Sequence, residues 1–270
     1  MRQQLTKTPS SWVERLARFG YAAKGVVYGI VGLLAAQAAV GSGGQTTDTK
    51  GALQAIVTQP FGKVLLGIVA IGLFGYVLWQ FVQAIKDPEN KGTDAKGILQ
   101  RIGYAISGII YAGLALSAVR IILGSGGGNS NSTEDWTARL LSQPFGQWLV
   151  GTVGAFIIGL GFYQFYKAFT TKFRKEFNLS ELSDTEQKWV KAISRLGLAA
   201  RGVVFCVIGF FLIQAARQSD ASQAQGLGEA LQTLAQQPYG AWILGIVAVG
   251  LVAYGIYMVM QARYRRIDPT

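Results

Sequence analysis

Residues Arg18–Gln37 read RFGYAAKGVVYGIVGLLAAQ, an apolar, glycine-rich segment that occurs twice more along the chain. The second copy, RIGYAISGIIYAGLALSAVR, runs from Arg101 to Arg120, and the third, RLGLAARGVVFCVIGFFLIQ, from Arg195 to Gln214. A partner motif follows each copy: Gln59-Pro60-Phe61-Gly62, Gln143-Pro144-Phe145-Gly146 and Gln237-Pro238-Tyr239-Gly240, each opening a second apolar run. A two-segment unit is therefore present three times in tandem, at 18–85, 101–169 and 195–262. What remains is an N-terminal segment (1–17), two linkers (86–100 and 170–194) and a tail (263–270).

Composition decides what these units are. Half of the 270 residues are hydrophobic and only 14% are charged, against about a quarter in soluble domains. Six stretches, near 19–40, 61–85, 102–123, 145–169, 196–216 and 239–262, meet the roughly 20 apolar residues needed to span a bilayer, and none holds an Asp or Glu. A soluble all-α protein would need polar faces on helices of that length. The expectation is an all-α membrane protein of six transmembrane helices in three tandem two-helix repeats. Each repeat crosses twice, so all copies share one orientation and a pseudo-threefold axis along the membrane normal is expected; a linear array is the alternative.

The net charge of +11 raises nucleic acid as a partner, but the positions of the basic residues point elsewhere. All of the 25 lysines and arginines except Lys50, Lys63, Arg120, Arg139 and Arg217 lie in the N-terminal segment, the two linkers, the tail and the adjoining helix ends. By the positive-inside rule both termini are expected in the cytoplasm. The basic surface then meets anionic lipid headgroups, with no nucleic acid required. Ala36-Gln37-Ala38 resembles a signal-peptidase site, yet the same segment recurs at 101 and 195, so the first span is read as part of the fold.

Ser11 to Glu14 and Ser183 to Glu186 have capping-box spacing, and Trp12 and Trp189 suit a headgroup region. Interfacial helices on the inner face, turning into spans 1 and 5, are the expectation there. Span 1 ends in Gly41-Ser42-Gly43-Gly44 and span 3 in Gly124-Ser125-Gly126-Gly127-Gly128, read as hinges. Short amphipathic helices are predicted on the outer face at Gly51–Val57, Glu134–Leu141 and Gly228–Leu234. Pro60, Pro144 and Pro238 are expected in the first turn of spans 2, 4 and 6, where a missing N–H costs nothing. The run from Lys167 to Lys175 is a topology anchor, or a surface for an acidic partner or lipid.

Aligning the odd spans at their arginines superposes Gly25, Gly108 and Gly202, then Gly29, Ala112 and Cys206, then Gly32, Ala115 and Gly209. All are small and share one helix face, the pattern that lets backbones approach in lipid. The same alignment groups Lys24, Ser107 and Arg201. Lys24 follows Arg18 by about 9 Å of helix, within snorkelling reach of the interface. Alternatively, Lys24 and Arg201 point toward the axis and hold an anionic headgroup, with Ser107 marking a differing third side. Gln37, Gln80, Gln164 and Gln214 are candidates for interhelical bonds or a polar path. With no histidine, one cysteine and no carboxylate in a span, the usual nucleophile pairs, metal sites and proton relays are missing. The expectation is a non-enzymatic protein without metal or cofactor.

Arg-x-Gly-x-Ala-Ala-Lys/Arg-Gly-Val-Val at 18 and 195, Gln-Pro-Phe/Tyr-Gly, and the Gly-x-x-x-Tyr-x-x-Trp-Gln-Phe-Val-Gln-Ala run ending at Ala84 resemble the domain of unknown function 1206 family. That resemblance implies a bacterial integral membrane protein with three two-helix units, in the inner or another energy-transducing membrane. It brings no activity or catalytic residues. Repeat 2 departs from the pattern with Ile106-Ser107, so any threefold site would be lopsided. The function expected is structural or lipid-binding, with membrane lipids, another membrane protein or a second copy as partner. A channel or uncoupled transporter with a central cavity is the alternative.

Overall fold

The computed structural model describes residues 11–88, 92–125, 132–170 and 183–265. These form α1 (Ser11–Ala39), α2 (Thr49–Val57), α3 (Gly62–Lys86), α4 (Ala95–Ile122), α5 (Ser132–Leu141), α6 (Gly146–Thr170), α7 (Asp184–Gln218), a short 3-10 helix (Ala221–Gln223), α8 (Leu227–Ala235) and α9 (Gly240–Tyr264). The six long helices are each long and apolar enough to cross a membrane. Their outward surfaces are apolar as well: Val64, Ile68, Ile71 and Leu78 make an exposed stripe along α3. Water would penalise such a stripe, whereas hydrocarbon accepts it. The chain is a helical membrane protein.

Helix ends follow local chemistry. The Asp48 carboxylate accepts from the Gly51 N–H at 2.7 Å and Asp94 from that of Gly97 at 3.1 Å, capping α2 and α4. Ser183 and Glu186 form the expected capping box on α7; the side chain of Ser11 lies outside the described residues. The three prolines do not open helices. Instead Gln59, Gln143 and Gln237 accept through their carbonyls from the N–H of Gly62, Gly146 and Gly240, each closing a turn with proline at its second position. The aromatic third residue, Phe61, Phe145 or Tyr239, has φ of 60°, 64° or 61°. Proline presets the second position and the positive φ suits the third, as in a type II turn. Glycine must follow, because a Cβ at Gly62 would stand 2.4 Å from the Ile56 carbonyl oxygen and one at Gly240 1.9 Å from that of Ala235.

The inner-face interfacial helices expected before spans 1 and 5 are corrected. α1 and α7 are each one continuous helix, of 29 and 35 residues. No proline or glycine interrupts Ser11–Phe19 or Asp184–Leu196, and the Glu14–Arg18 pair at 2.7 Å ties one turn to the next across the expected junction. Ala17 is fully buried, and a Cβ on Gly75 of α3 would lie 2.6 Å from the Leu16 carbonyl oxygen, so this stretch packs in the bundle.

The second helix of each repeat packs on the first helix of the next: α3 on α4, α6 on α7, and α9 back on α1. Together with the contacts inside repeats 1 and 3, that return contact orders the six long helices α4, α3, α1, α9, α7, α6 and brings the first and last repeats together. Within a repeat, α1 packs on α3 and α7 on α9, whereas α4 and α6 have no comparable contact. α4 and α6 are the two ends of this packed series. The short helices lie at the end opposite the termini, with Leu53 of α2 and Leu231 of α8 fully buried.

Candidate functional site

Three arginines tie the repeats together at the end that carries the termini. Arg101 donates from Nε to the Ala84 carbonyl at 2.8 Å and from Nη2 to that of Ile85 at 3.0 Å. Arg195 does the same to Ala168 and Phe169, both at 3.2 Å. Arg18 donates to the carbonyls of Ala262 and Arg263 at 3.0 and 2.6 Å. Each guanidinium caps the unsatisfied C-terminal carbonyls of the preceding repeat's second helix.

One and a half turns further into the bundle, the small residues bring backbones together. A Cβ on Gly25 would lie 2.7 Å from the Gly255 oxygen, one on Gly202 3.0 Å from that of Gly161, and one on Gly209 2.6 Å from that of Gly154. Gly32 meets Val252 and Ala248 in the same way, and Gly108 meets the Phe81 ring at 3.2 Å. Ala115 is fully buried, Ala112 partly so, and the Cys206 sulfur is 2.7 Å from where a Cβ on Gly161 would stand. Gly29 meets nothing through its own Cβ, but its backbone nitrogen is 2.8 Å from the place of a Cβ on Gly255.

These close approaches turn the cationic residues inward. Lys24 is 3% exposed, so its side chain does not snorkel. Its Nζ donates to the Tyr76 hydroxyl at 2.8 Å and stands 4.5 and 4.6 Å from the ring centres of Tyr76 and Tyr111. Ser107, the aligned residue of repeat 2, precedes Gly108, which packs on Phe81 and Gln80 of α3. Arg201 donates from Nη1 to the Tyr254 hydroxyl and lies 4.8 Å from that ring, 4.6 Å from Phe205 and 5.9 Å from Tyr28. The rings continue from repeat to repeat: Tyr28 and Tyr254 meet edge to face at 4.9 Å, Tyr76 and Tyr111 at 4.8 Å, and the Tyr111 hydroxyl donates to Tyr28 at 3.4 Å. Below them Arg265, 8% exposed, stacks on Tyr21 at 4.9 Å and donates to Gln261.

The repeat geometry explains this asymmetry. Lys24 bonds Tyr76 and Arg201 bonds Tyr254, each within its own repeat, whereas repeat 2 offers Ser107 and Leu160 at the corresponding places. Among the described residues neither Lys24 nor Arg201 has a carboxylate within ion-pairing distance, and the Nε of Arg201 is buried without an acceptor. A buried cation is normally offset by an anion. Facing aromatic rings supply about 2 kcal/mol each when desolvated, which compensates in part and leaves the centre positive. Such a site can hold a negatively charged group.

Of the four glutamines, Gln80 and Gln164 are buried and Gln37 is exposed. Gln214 donates to Gln223 at 3.1 Å. The sequence reading passed over Tyr28, Tyr76, Tyr111 and Tyr254. Their signal was present: Tyr28, Tyr111 and Phe205 align one turn after the cation position, and Tyr76 and Tyr254 align in the partner helices. Lys172–Lys175 and the glycines at 126–128 lie outside the described residues.

A family model described as Domain of Unknown Function (DUF1206) matches residues 19–87, 102–171 and 196–265. The chain is 41% identical over 256 residues to a Bacillus subtilis (strain 168) protein named Uncharacterized protein YxxB, an alignment covering 95% of this chain and 92% of that protein. No solved structure matches the chain significantly.

Proposed function

Since the chain belongs to the DUF1206 family, whose description assigns no activity, we propose from the site itself that it is a non-enzymatic membrane protein binding the anionic headgroup of a lipid at Lys24 and Arg201. The observation that carries this reading is the burial of Lys24 against phenols, with no carboxylate in reach among the described residues. Phenol hydroxyls and rings orient the ammonium and the guanidinium without neutralising them, so the remaining attraction is for an anion. On this reading the end carrying both termini faces the cytoplasm of a bacterial inner membrane, supported by its lysines and arginines and the anionic lipid they would meet. Passage of a solute along the axis has less support, because tyrosine rings fill it at the level of Lys24.

Native mass spectrometry of protein released from phosphatidylglycerol-containing micelles tests the reading. The wild type is expected to retain the anionic lipid in preference to phosphatidylcholine, and Lys24→Ala with Arg201→Ala to lose that preference. Equal retention by variant and wild type would refute it.

A further inference from the structure

The opening between α4 and α6 is written into side chains. In repeats 1 and 3 the two helices of the hairpin touch through a small pair: a Cβ on Gly72 would lie 2.5 Å from the Ala23 methyl, and one on Gly250 2.3 Å from that of Ala200. Repeat 2 places Ile106 and Phe156 at these positions, and both remain exposed. Bulk takes the place of a small pair there, and these two helices do not pack on each other as those of the other hairpins do. The consequences run along both helices. Val27 and Val204 are 1% and 2% exposed, while the corresponding Ile110 is 64% exposed. Trp79 and Tyr257 are each 1% exposed, while Tyr163 is 50% exposed. Gly20 and Gly197 touch backbone across the hairpin, whereas Gly103 and Gly159 meet nothing.

Both helices adjoin the cations. Lys24 lies on the Tyr111 ring of α4, and Arg201 precedes Gly202, which packs on α6. Arg201 projects inward yet is partly exposed. Every other consecutive pair of long helices is packed, which leaves the α4–α6 side for an approach from the membrane. Near the end carrying the termini, α6 adds Lys167 where the other repeats have the buried Gln83 and Gln261. The slot is thus apolar along its length and positive at one end, the charge pattern of a phospholipid with an anionic headgroup.

We propose that the α4–α6 opening is a lateral entrance that seats an acyl chain of such a phospholipid between Ile106, Ile110, Phe156 and Tyr163, its headgroup directed to Lys24, Arg201 and Lys167. The inference rests on the headgroup reading above and adds the route, the occupant and the asymmetry among repeats. It also accounts for the departure of repeat 2 from the pattern: one hairpin opens so that lipid can enter.

The test restores the small pair with Ile106→Ala and Phe156→Gly, a change that makes repeat 2 like its neighbours. Retained phosphatidylglycerol is expected to fall about tenfold or more, as for the Lys24→Ala and Arg201→Ala protein. If the cation variant loses lipid and the restored-pair variant keeps it, the headgroup reading stands and lateral entry is wrong. If neither loses lipid, both fail. A measurement on the unaltered protein is independent of folding in the variants: phosphatidylglycerol carrying a photoreactive acyl chain is expected to label peptides of α4 and α6 around Ile110 and Tyr163 above all other helices. Uniform labelling around the bundle would overturn the proposal. So would displacement of the lipid by inorganic phosphate with α4 and α6 unlabelled, or a lipid-free two-chain complex that the restored-pair variant no longer forms.

Discussion

Alanine at Gly20, Gly103 and Gly197 separates a packed hairpin from an open one with three single-methyl changes. A Cβ at Gly20 would stand 2.4 Å from the Tyr76 nitrogen and 2.6 Å from its Cα, and one at Gly197 2.5 Å from the Tyr254 nitrogen. These neighbours are backbone, so no rotamer can relieve them and the helices must separate. Overpacking of this kind costs about 1–3 kcal/mol, offset by at most about 1 kcal/mol from the better helix propensity of alanine. Separation also strains the Lys24–Tyr76 or Arg201–Tyr254 bond beside it. Gly103 meets nothing within 4 Å, so its alanine variant carries only the favourable term. With roughly 2–4 °C per kcal/mol for a chain of this class, thermal unfolding in detergent, followed by tryptophan fluorescence, should show lower midpoints for Gly20→Ala and Gly197→Ala. Gly103→Ala should leave the midpoint unchanged or raise it by a few degrees. A fall for Gly103→Ala as large as for Gly20→Ala would mean that α4 packs on α6 as closely as α1 on α3, and the account of the opening would collapse.

Arg101→Lys should destabilise nearly as much as Arg101→Ala, by about 1.5–3 kcal/mol, because a point ammonium cannot bridge the Ala84 and Ile85 carbonyls as the guanidinium fork does; full rescue by lysine in the same unfolding assay would show that charge alone matters there. Reporter fusions after residue 265 and within the loop between α1 and α2 should report cytoplasmic and external positions respectively, and the opposite pattern would reverse the membrane orientation and the leaflet from which lipid is drawn.

Much of this was written in local pattern. The six spans, the three repeats and the glycine faces depend on composition and helical period, which a single chain displays directly. The small-residue register was legible because i, i+4, i+7 spacing puts Gly25, Gly29 and Gly32 on one face whatever they meet. What they meet was not legible: that Gly25 touches Gly255 of the last helix depends on α9 returning to α1, a contact between the two ends of the sequence. The inner-face helices were misjudged for a related reason, since tryptophan beside basic residues marks an interface equally well on a straight helix that crosses it. Lys24 was ambiguous because a long side chain has the reach both to snorkel and to point inward, and only the phenol of Tyr76, on another helix, fixes its direction.

By itself, then, the sequence determined how many times this chain crosses a membrane, which repeat departs from the others and which faces are small, because these follow from residue type and period along one strand of chain. The tertiary structure decided where the departure matters. Ile106 and Phe156 are ordinary apolar residues until the fold shows that the aligned pairs, Ala23 with Gly72 and Ala200 with Gly250, are packed contacts. Close packing acts between positions far apart in sequence, and it distinguishes two packed hairpins from a third whose helices do not pack on each other.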